Sequence, residues 1–581
     1  MKNTVDYKSR FRILKGGKIS LVVSALVVSS SLVGTSAYAV PCSPASNIID
    51  DNTTAQVIYM CEDTSVTVTG NLNVSGSTAL SVLSVYGSYT ANIINEGSIS
   101  SDETGVYVNT ANFSLTNNAS SDINVSSSNS VRGIETNSLS DSNITNSGTL
   151  NVESTDSYAY GIDTGYLYGE SHILNSNTIA VDGFYGAYGI STRGLYNNAS
   201  IVNDGTISVM SSDGYGLGID VYRMGEDSII ENTQNGIIDV NASDYAVGIN
   251  VGRDMYDSAS ILNSGLITVA SLNSQAVGIL VDNSMYGDTS ILNSGSITVA
   301  SLNNEAAGIL VDRMYINASI TNDSTIVVSG EDATGISVQY MGEDSSITNS
   351  LGAIIDVNGS YAALGVSYGS HWPVSMQDNA TITNAGTINV NSGGFAVGIA
   401  GKYYASYDNN ASITNSGTIT ATINGEADEN GFSIISWGVD VTNTSTGKLY
   451  GNLQIDNGAT LSNSGLISLP HNASAYVSNF VQTSTGTLEI GLFSDENFGE
   501  DGMSHSHLET DTASFANDST IAVNVLTLSE NQGLLSGQTL ENVVTANNSL
   551  TMDGTLNITD NSALLNFEYF TSASSDVNST F

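Results

Sequence analysis

Ile261-Leu262-Asn263-Ser264-Gly265-Leu266-Ile267-Thr268-Val269-Ala270-Ser271-Leu272-Asn273 returns from Ile291 to Asn303 with one change, Ser296 for Leu266. Looser copies start at Ile144, Ile173, Ile201, Ile320, Ile382 and Ile413. A second phrase, small residue–x–Gly–Ile–x–Val, follows each copy's asparagine by about 15 residues. Its glycines are Gly105, Gly133, Gly161, Gly189, Gly218, Gly248, Gly278, Gly308, Gly335, Gly365, Gly398 and Gly438. The first eight span 203 residues in seven steps, a mean of 29. Self-similarity at such a period is the mark of a stacked-repeat architecture. Ile, Val and Thr alternate with polar residues at period two, which is a strand pattern. Asn, Gly, Ser and Asp fill the gaps with turn chemistry. The reading is all-β: a right-handed parallel β-helix, or β-solenoid, of ~29-residue coils. At ~4.8 Å per coil, twelve coils make a rod of at least ~50 Å.

Stacking in register assigns directions. Ile261, Ile267, Val269, Ile279 and Val281 are expected to point inward. Asn263, Asn293, Asn322, Asn349, Asn384 and Asn415 share one coil position. If they faced out they could bind something. The preferred reading is an internal ladder in which each side-chain amide bonds the next coil. Gly265, Gly295, Gly386 and Gly417 are expected at a turn requiring positive φ.

The chain has 581 residues, 57 Asp+Glu, 13 Lys+Arg and a net charge of −44. Charged residues are only 12%, about half the ~25% of an ordinary soluble domain. The chain is acidic because it lacks bases. Six bases and one acid fall within residues 1–39, so removing that segment leaves seven bases, 56 acids and a net charge of −49. This excludes nucleic-acid binding through phosphate neutralisation. It also disfavours a basic patch on an anionic membrane. Residues 1–39 carry a basic stretch to Lys18, an apolar run from Ile19 to Gly34 and the small-residue pattern Ala37-Tyr38-Ala39. They read as a secretory signal cleaved after Ala39. Cys42 and Cys61, the two cysteines, are expected to form one disulfide in an exported chain.

Five of the seven remaining bases follow a repeat glycine by four or five residues: Arg193, Arg223, Arg253, Arg313 and Lys402. The same loop carries Tyr222 and Glu226, Met255 and Tyr256, Tyr286 and Asp288, Met314 and Tyr315, and Tyr403 and Tyr404. Stacking would line this loop along one edge as a stripe of Tyr, Met and Arg among acids. The structural reading is that the bases relieve carboxylate repulsion between coils, at ~0–1 kcal/mol per exposed pair. The functional reading is a contact face, since Tyr, Met and Arg are enriched at interfaces. Candidate contact residues are therefore Arg193, Arg223, Arg253, Tyr256, Arg313, Tyr315 and Lys402.

No GxSxG or HExxH motif occurs. His505 and His507 lie among Glu500, Asp501, Glu509 and Asp511, and the reading is a surface loop, not a metal site. Acids read as spread out rather than gathered on one groove. No metal, no cofactor and no enzymatic activity are expected. Asn-x-Ser/Thr triplets such as Asn124-Val125-Ser126 and Asn358-Gly359-Ser360 follow from composition.

The period fades after Gly438. Phe480-Val481-Gln482-Thr483-Ser484-Thr485-Gly486-Thr487-Leu488-Glu489-Ile490 is followed by Leu540-Glu541-Asn542-Val543-Val544 and Thr559-Asp560-Asn561-Ser562-Ala563-Leu564-Leu565-Asn566-Phe567. With the repeats and the long signal, these stretches resemble the passenger of a bacterial autotransporter, the type V secretion family. The resemblance covers nearly the whole mature chain. It implies a passenger that crosses the outer membrane through a C-terminal β-barrel and acts at the cell surface as an adhesin or aggregation factor. No barrel strands follow Phe567 in this sequence, so the translocator is expected as a partner outside it. The domain reading is 1–39 signal, 40–92 N-terminal cap with its disulfide, 93–441 regular coils and 442–581 a C-terminal end that folds first. Implied partners are host or bacterial surface glycans or proteins, or further copies of the chain. The other readings are a polysaccharide-acting β-helix enzyme and a stalk that binds nothing.

Overall fold

Three short strands per 29 residues can bury their apolar faces only by stacking on the next copy, and the chain does this throughout. The computed structural model describes residues 42–569 apart from 86–88, 370–375, 402–409, 472, 495–502, 528–539 and 563–566, together with strands at Ser572–Ala573 and Ser579–Thr580. The signal segment and its Ala39 cleavage point lie outside these residues. The described residues contain strands and turns and no helix. They form a parallel β-solenoid of about 15 coils of ~29 residues.

One coil shows the plan. Ser260–Asn263, Leu266–Ser271 and Ala276–Met285 are its three strands. Each pairs in parallel with its copy one coil later, so Ile261 meets Ile291, Ile267 meets Ile297 and Ile279 meets Ile309. The three strand types thus stack into three parallel sheets around one core. Ile261, Ile267, Val269, Ile279 and Val281 are buried, as the alternation requires. Burying such a side chain contributes roughly 1.5–3 kcal/mol. Between Asn443 and Gln482 the coil shortens to 19–20 residues. There the strand Asn452–Asn463 pairs with two preceding strands in turn.

The asparagine position is an internal ladder. It runs from Asn95 through Asn117, Asn146, Asn175, Asn203, Asn232, Asn263, Asn293, Asn322, Asn349, Asn384, Asn415, Asn443 and Asn463 to Gln482. Each Nδ2 donates to the side-chain oxygen of the next coil at 2.7–2.9 Å. Many donate their second proton to a backbone carbonyl, as Asn117 does to Thr149 at 3.2 Å.

Two expectations about glycine are corrected. Gly265, Gly295, Gly386 and Gly417 do not have positive φ. They are glycines because a Cβ at Gly265 would collide with the carbonyl oxygens of Gly236 and Thr233 in the coil before. Positive φ belongs instead to the turn after the third sheet, at Asn197, Asn198, Asp257, Ser258, Asn317, Asp344 and Asn379. Side chains of Asn and Asp tolerate this region. Gly438 also leaves the repeat column. Ile399 pairs with Ile434, and a Cβ on Gly398 would strike the carbonyl of Ser433. Ser433 is therefore the next member, and Gly438 has φ +73° in a turn.

At the N-terminal end Cys42 and Cys61 are disulfide-bonded with Cα atoms 5.7 Å apart. Ser43 N donates to Tyr59 O at 2.8 Å beside the bond. Closing a loop of this length is worth ~3 kcal/mol in the chain-entropy account.

Asn263→Ala leaves Asn232 Nδ2 and Asn293 Oδ1 without their side-chain partners in the buried interior. The expected loss is about 2–4 kcal/mol, read as a lower urea midpoint with faster amide exchange in the adjoining coils. Ser264→Ala, on a half-buried side chain one residue along whose hydroxyl meets Ser294 at 3.0 Å at the surface, is expected to stay within ~1 kcal/mol. Gly278→Ala sets a methyl 2.5 Å from both Gly308 O and Ile297 Cγ2. It is expected to cost about 1–3 kcal/mol by overpacking; an unchanged midpoint would show that the coils separate freely.

Candidate functional site

The loop after the third sheet carries the expected contact residues, and its alternation sorts them into two sets. Met224, Met255, Met285, Met314, Met341 and Met376 pair coil to coil and are fully buried. Met255 and Met314 are therefore core residues and not members of a surface stripe. The next residue along the strand points the other way. At that position tyrosine, with its polar hydroxyl, is outside while the thioether fills the interior.

Tyr256, Tyr286 and Tyr315 stack one on the next. Their ring centroids are 5.3 and 4.8 Å apart, with planes within 6° and 2° of parallel. Tyr340 closes one end, tilted, at 5.2 Å. Arg223 closes the other, its guanidinium carbon 5.7 Å from the Tyr256 ring centre. Arg223 also pairs with nearly buried Asp254 at 3.4 Å, and Tyr256 donates its hydroxyl to the same carboxylate at 2.6 Å. Partial burial and that hydrogen bond push the Tyr256 phenol up to about 12.

The arginines do not form one register column. Arg313 pairs with neighbouring Asp312 at 3.3 Å. Arg253 is exposed and lies over Tyr222, 5.4 Å from its ring centre. Arg193 is exposed, and the ion pairs of the described residues leave it free. Lys402, Tyr403 and Tyr404 lie outside the described residues. Thus Arg223, Tyr256 and Tyr315 are brought together, whereas Arg193 belongs to a different feature, beside which Arg253 lies over Tyr222.

That feature is an open cleft of about 450 Å³ on the outer face of the third sheet. It spans three adjacent strands, Tyr158–Tyr168, Gly186–Leu195 and Tyr215–Val221. Asp163, Ser191 and Asp220 are in register across them and form its floor. Tyr160 and Tyr188 form one side, stacked at 4.6 Å and 6°. Tyr166, Arg193 and Tyr222 form the other. Arg132 caps the stack: its guanidinium carbon is 5.0 Å from the Tyr160 ring centre, and its Nε donates to Asp163 at 2.7 Å. Asn250 Nδ2 donates to Asp220 at 2.7 Å. Burial pushes the Asp220 carboxyl above the usual carboxylate range, against the hydrogen bonds from Asn250 and Ser191. Burial also raises the Tyr188 phenol.

The sequence reading took the acids to be spread out. Here two carboxylates and two arginines meet, because residues 28–31 apart in sequence are neighbours across the coils. A signal for this was present. Tyr160 and Tyr188 each precede a repeat glycine, and Asp163 and Asp220 each follow one by two residues. These are the variable positions of the Gly–Ile–x–Val phrase, and both face outward.

His507 is half-buried, which lowers its pKa, and its Nδ1 lies 3.4 Å from Ser474 Oγ. Among the described residues no three His, Cys, Asp or Glu side chains gather as metal ligands.

Residues 46–314 match the family model described as the BigA third pectate lyase-like domain. The matched stretch, just under half the chain, holds the whole cleft and, of the stack, Arg223, Tyr256 and Tyr286. It marks this part as a pectate lyase-like β-helix. No curated protein and no solved structure matches the chain.

Arg223→Ser removes the cation beside Asp254, which is 7% exposed. The expected loss of stability is about 1–2 kcal/mol. Arg253→Ser, whose guanidinium is in solvent, is expected to change it by less than ~0.5 kcal/mol. Equal midpoints for the two variants in chemical denaturation would contradict the geometry described.

Proposed function

We propose that this chain is the exported passenger of a bacterial autotransporter-type surface protein, and that it works by attachment to a host or bacterial surface, or to further copies of itself. The observation that carries this reading is the outward face of the third sheet. There tyrosines, carboxylates and arginines collect into a cleft and an adjoining stack on a rigid, in-register scaffold. Aromatic and arginine side chains held this way lose little conformational entropy on contact. The family match adds support, since BigA is an autotransporter-like bacterial surface protein. On this reading residues 1–39 are the export signal, an outer-membrane β-barrel is the translocating partner, and no catalysis or cofactor is involved.

A second reading draws on one observation. Asp163 and Asp220 share a cleft, and burial raises Asp220. Two carboxylates in unlike environments are also what acid–base cleavage of a polysaccharide uses.

Bacteria displaying the chain through a β-barrel carrier are expected to adhere to epithelial cells or to one another. The triple variant Arg223→Ser, Arg253→Ser, Arg313→Ser is expected to reduce that attachment several-fold. The purified protein, incubated with a polysaccharide panel, is expected to release no reducing ends or unsaturated products. Product release without attachment would replace the first reading by the second.

A further inference from the structure

We propose that the cleft around Asp220 takes an uncharged sugar unit, a terminal ring or a disaccharide, and rejects polyuronate chains. This deepens the attachment reading and rests on it.

Size comes first. About 450 Å³ lies within the ~300–1,000 Å³ of small-molecule sites. Length is bounded by the columns themselves. Running along the solenoid, the floor column continues from Asp163, Ser191 and Asp220 to Asn250, then to Leu280 and Leu310. The tyrosine column likewise passes from Tyr188 to Leu217, Val247 and Val277. Leu217, Val247, Val277 and Leu280 are buried in a cluster of their own, with Leu310 and Tyr188 partly buried against it. At the other end the floor column runs on to Glu135 and Tyr107, but Arg132 sits on Tyr160 and bridges Asp163 at 2.7 Å and Glu135 at 3.9 Å, and the lining of the cleft stops at that bridge. The lining therefore comes from three coils, roughly 10 Å at ~4.8 Å per coil. That is the span of a disaccharide and not of a polymer.

Charge decides the chemical class. Asp163 pairs with Arg132 at 2.7 Å, an arginine it shares with Glu135 at 3.9 Å. Asp220 is partly buried and accepts from Asn250, and burial raises its carboxyl above the usual range. Arg193 is the one unpaired cation on the described lining. A polyuronate would bring one carboxylate per ring to a single free arginine, against the field of a mature chain at −49. A cationic ligand would meet Arg193 and find Asp163 occupied. An uncharged ligand rich in hydroxyls fits what remains. The hydroxyls of Tyr188, Tyr222 and Ser191 both donate and accept, Arg193 donates, and Asp220 accepts. The faces of Tyr160 are occupied by Arg132 and Tyr188, so the stack turns its edges, not a flat platform, toward the opening.

The test uses the purified full-length mature chain on an array of uncharged mono- and disaccharides printed beside polygalacturonate, with and without calcium. Retention of at least one uncharged sugar and none of polygalacturonate is expected. Asp220→Asn and Tyr222→Ala should each weaken that retention about tenfold, and Arg193→Ser should do so without altering the melting temperature. Leu302→Ser, on an exposed side chain outside the cleft and outside the contact set, should leave it unchanged. Retention of polygalacturonate in preference, retention untouched by all three cleft variants, or no sugar retained would each overturn the proposal. Attachment that persists when no sugar is retained leaves the attachment reading standing. Sugar retention by a chain that confers no attachment removes the attachment reading and keeps the cleft.

Discussion

The buried asparagine amide is the interaction on which the rest of the solenoid hangs. Each amide gives a proton to the coil after it and accepts one from the coil before it, in the buried interior. A slip of one residue would move a leucine or serine into that position and strand a donor and an acceptor at once. Leaving them unpaired costs about 1–3 kcal/mol per group, so the ladder pins register. Apolar columns such as Ile261 on Ile291 reward burial but would accept many neighbours.

Once register is pinned, any side-chain type placed at a coil position is repeated every ~4.8 Å. For isoleucine this is an advantage. For a charge it is a penalty: two like charges at that spacing repel by roughly 1 kcal/mol in water and by several at a protein surface. The 12% charged composition follows from this constraint. Many of the acids that remain are diluted along their columns, as in Ser191, Asp220 and Asn250, and where Glu135 and Asp163 do meet in register Arg132 lies between them. Where two do fall next to each other, the strain is visible. Burial raises Asp182, and adjacent Glu153 raises it further; Asp282 is raised by burial and then by Asp312. Arg313 sits against that second pair at Asp312.

Columns also explain what could be read in the sequence. Coil length, the apolar positions and the asparagine ladder repeat nearly verbatim, so one aligned pair of copies revealed them. Met255 was misplaced because composition places methionine at interfaces as readily as in cores; only the alternation with Tyr256 decides its face. Gly265 was given a turn role because its reason for being glycine, a carbonyl in the preceding coil, is not local in sequence. Tyr160, Tyr188, Asp163 and Asp220 were passed over because they occupy the positions at which the copies differ. Repeats conserve what stacking needs, so whatever is peculiar to a few coils appears as noise around the motif. The recognition chemistry of a solenoid is in that noise.

This bears on what the pectate lyase-like match conveys. A shared coil geometry follows from the inward positions, whereas chemistry depends on the outward ones, and the two vary independently along the chain. In this chain the outward columns change from polar and aromatic to aliphatic within two coils, at Leu217 in one and at Leu280 in the other, over an interior that hardly changes. A long groove for a charged polymer needs the same polar chemistry repeated over many coils. The present arrangement ends at Leu217 and Leu280 on one side and at the Arg132 bridge on the other, and those ends, more than the cleft's volume, limit what it can hold.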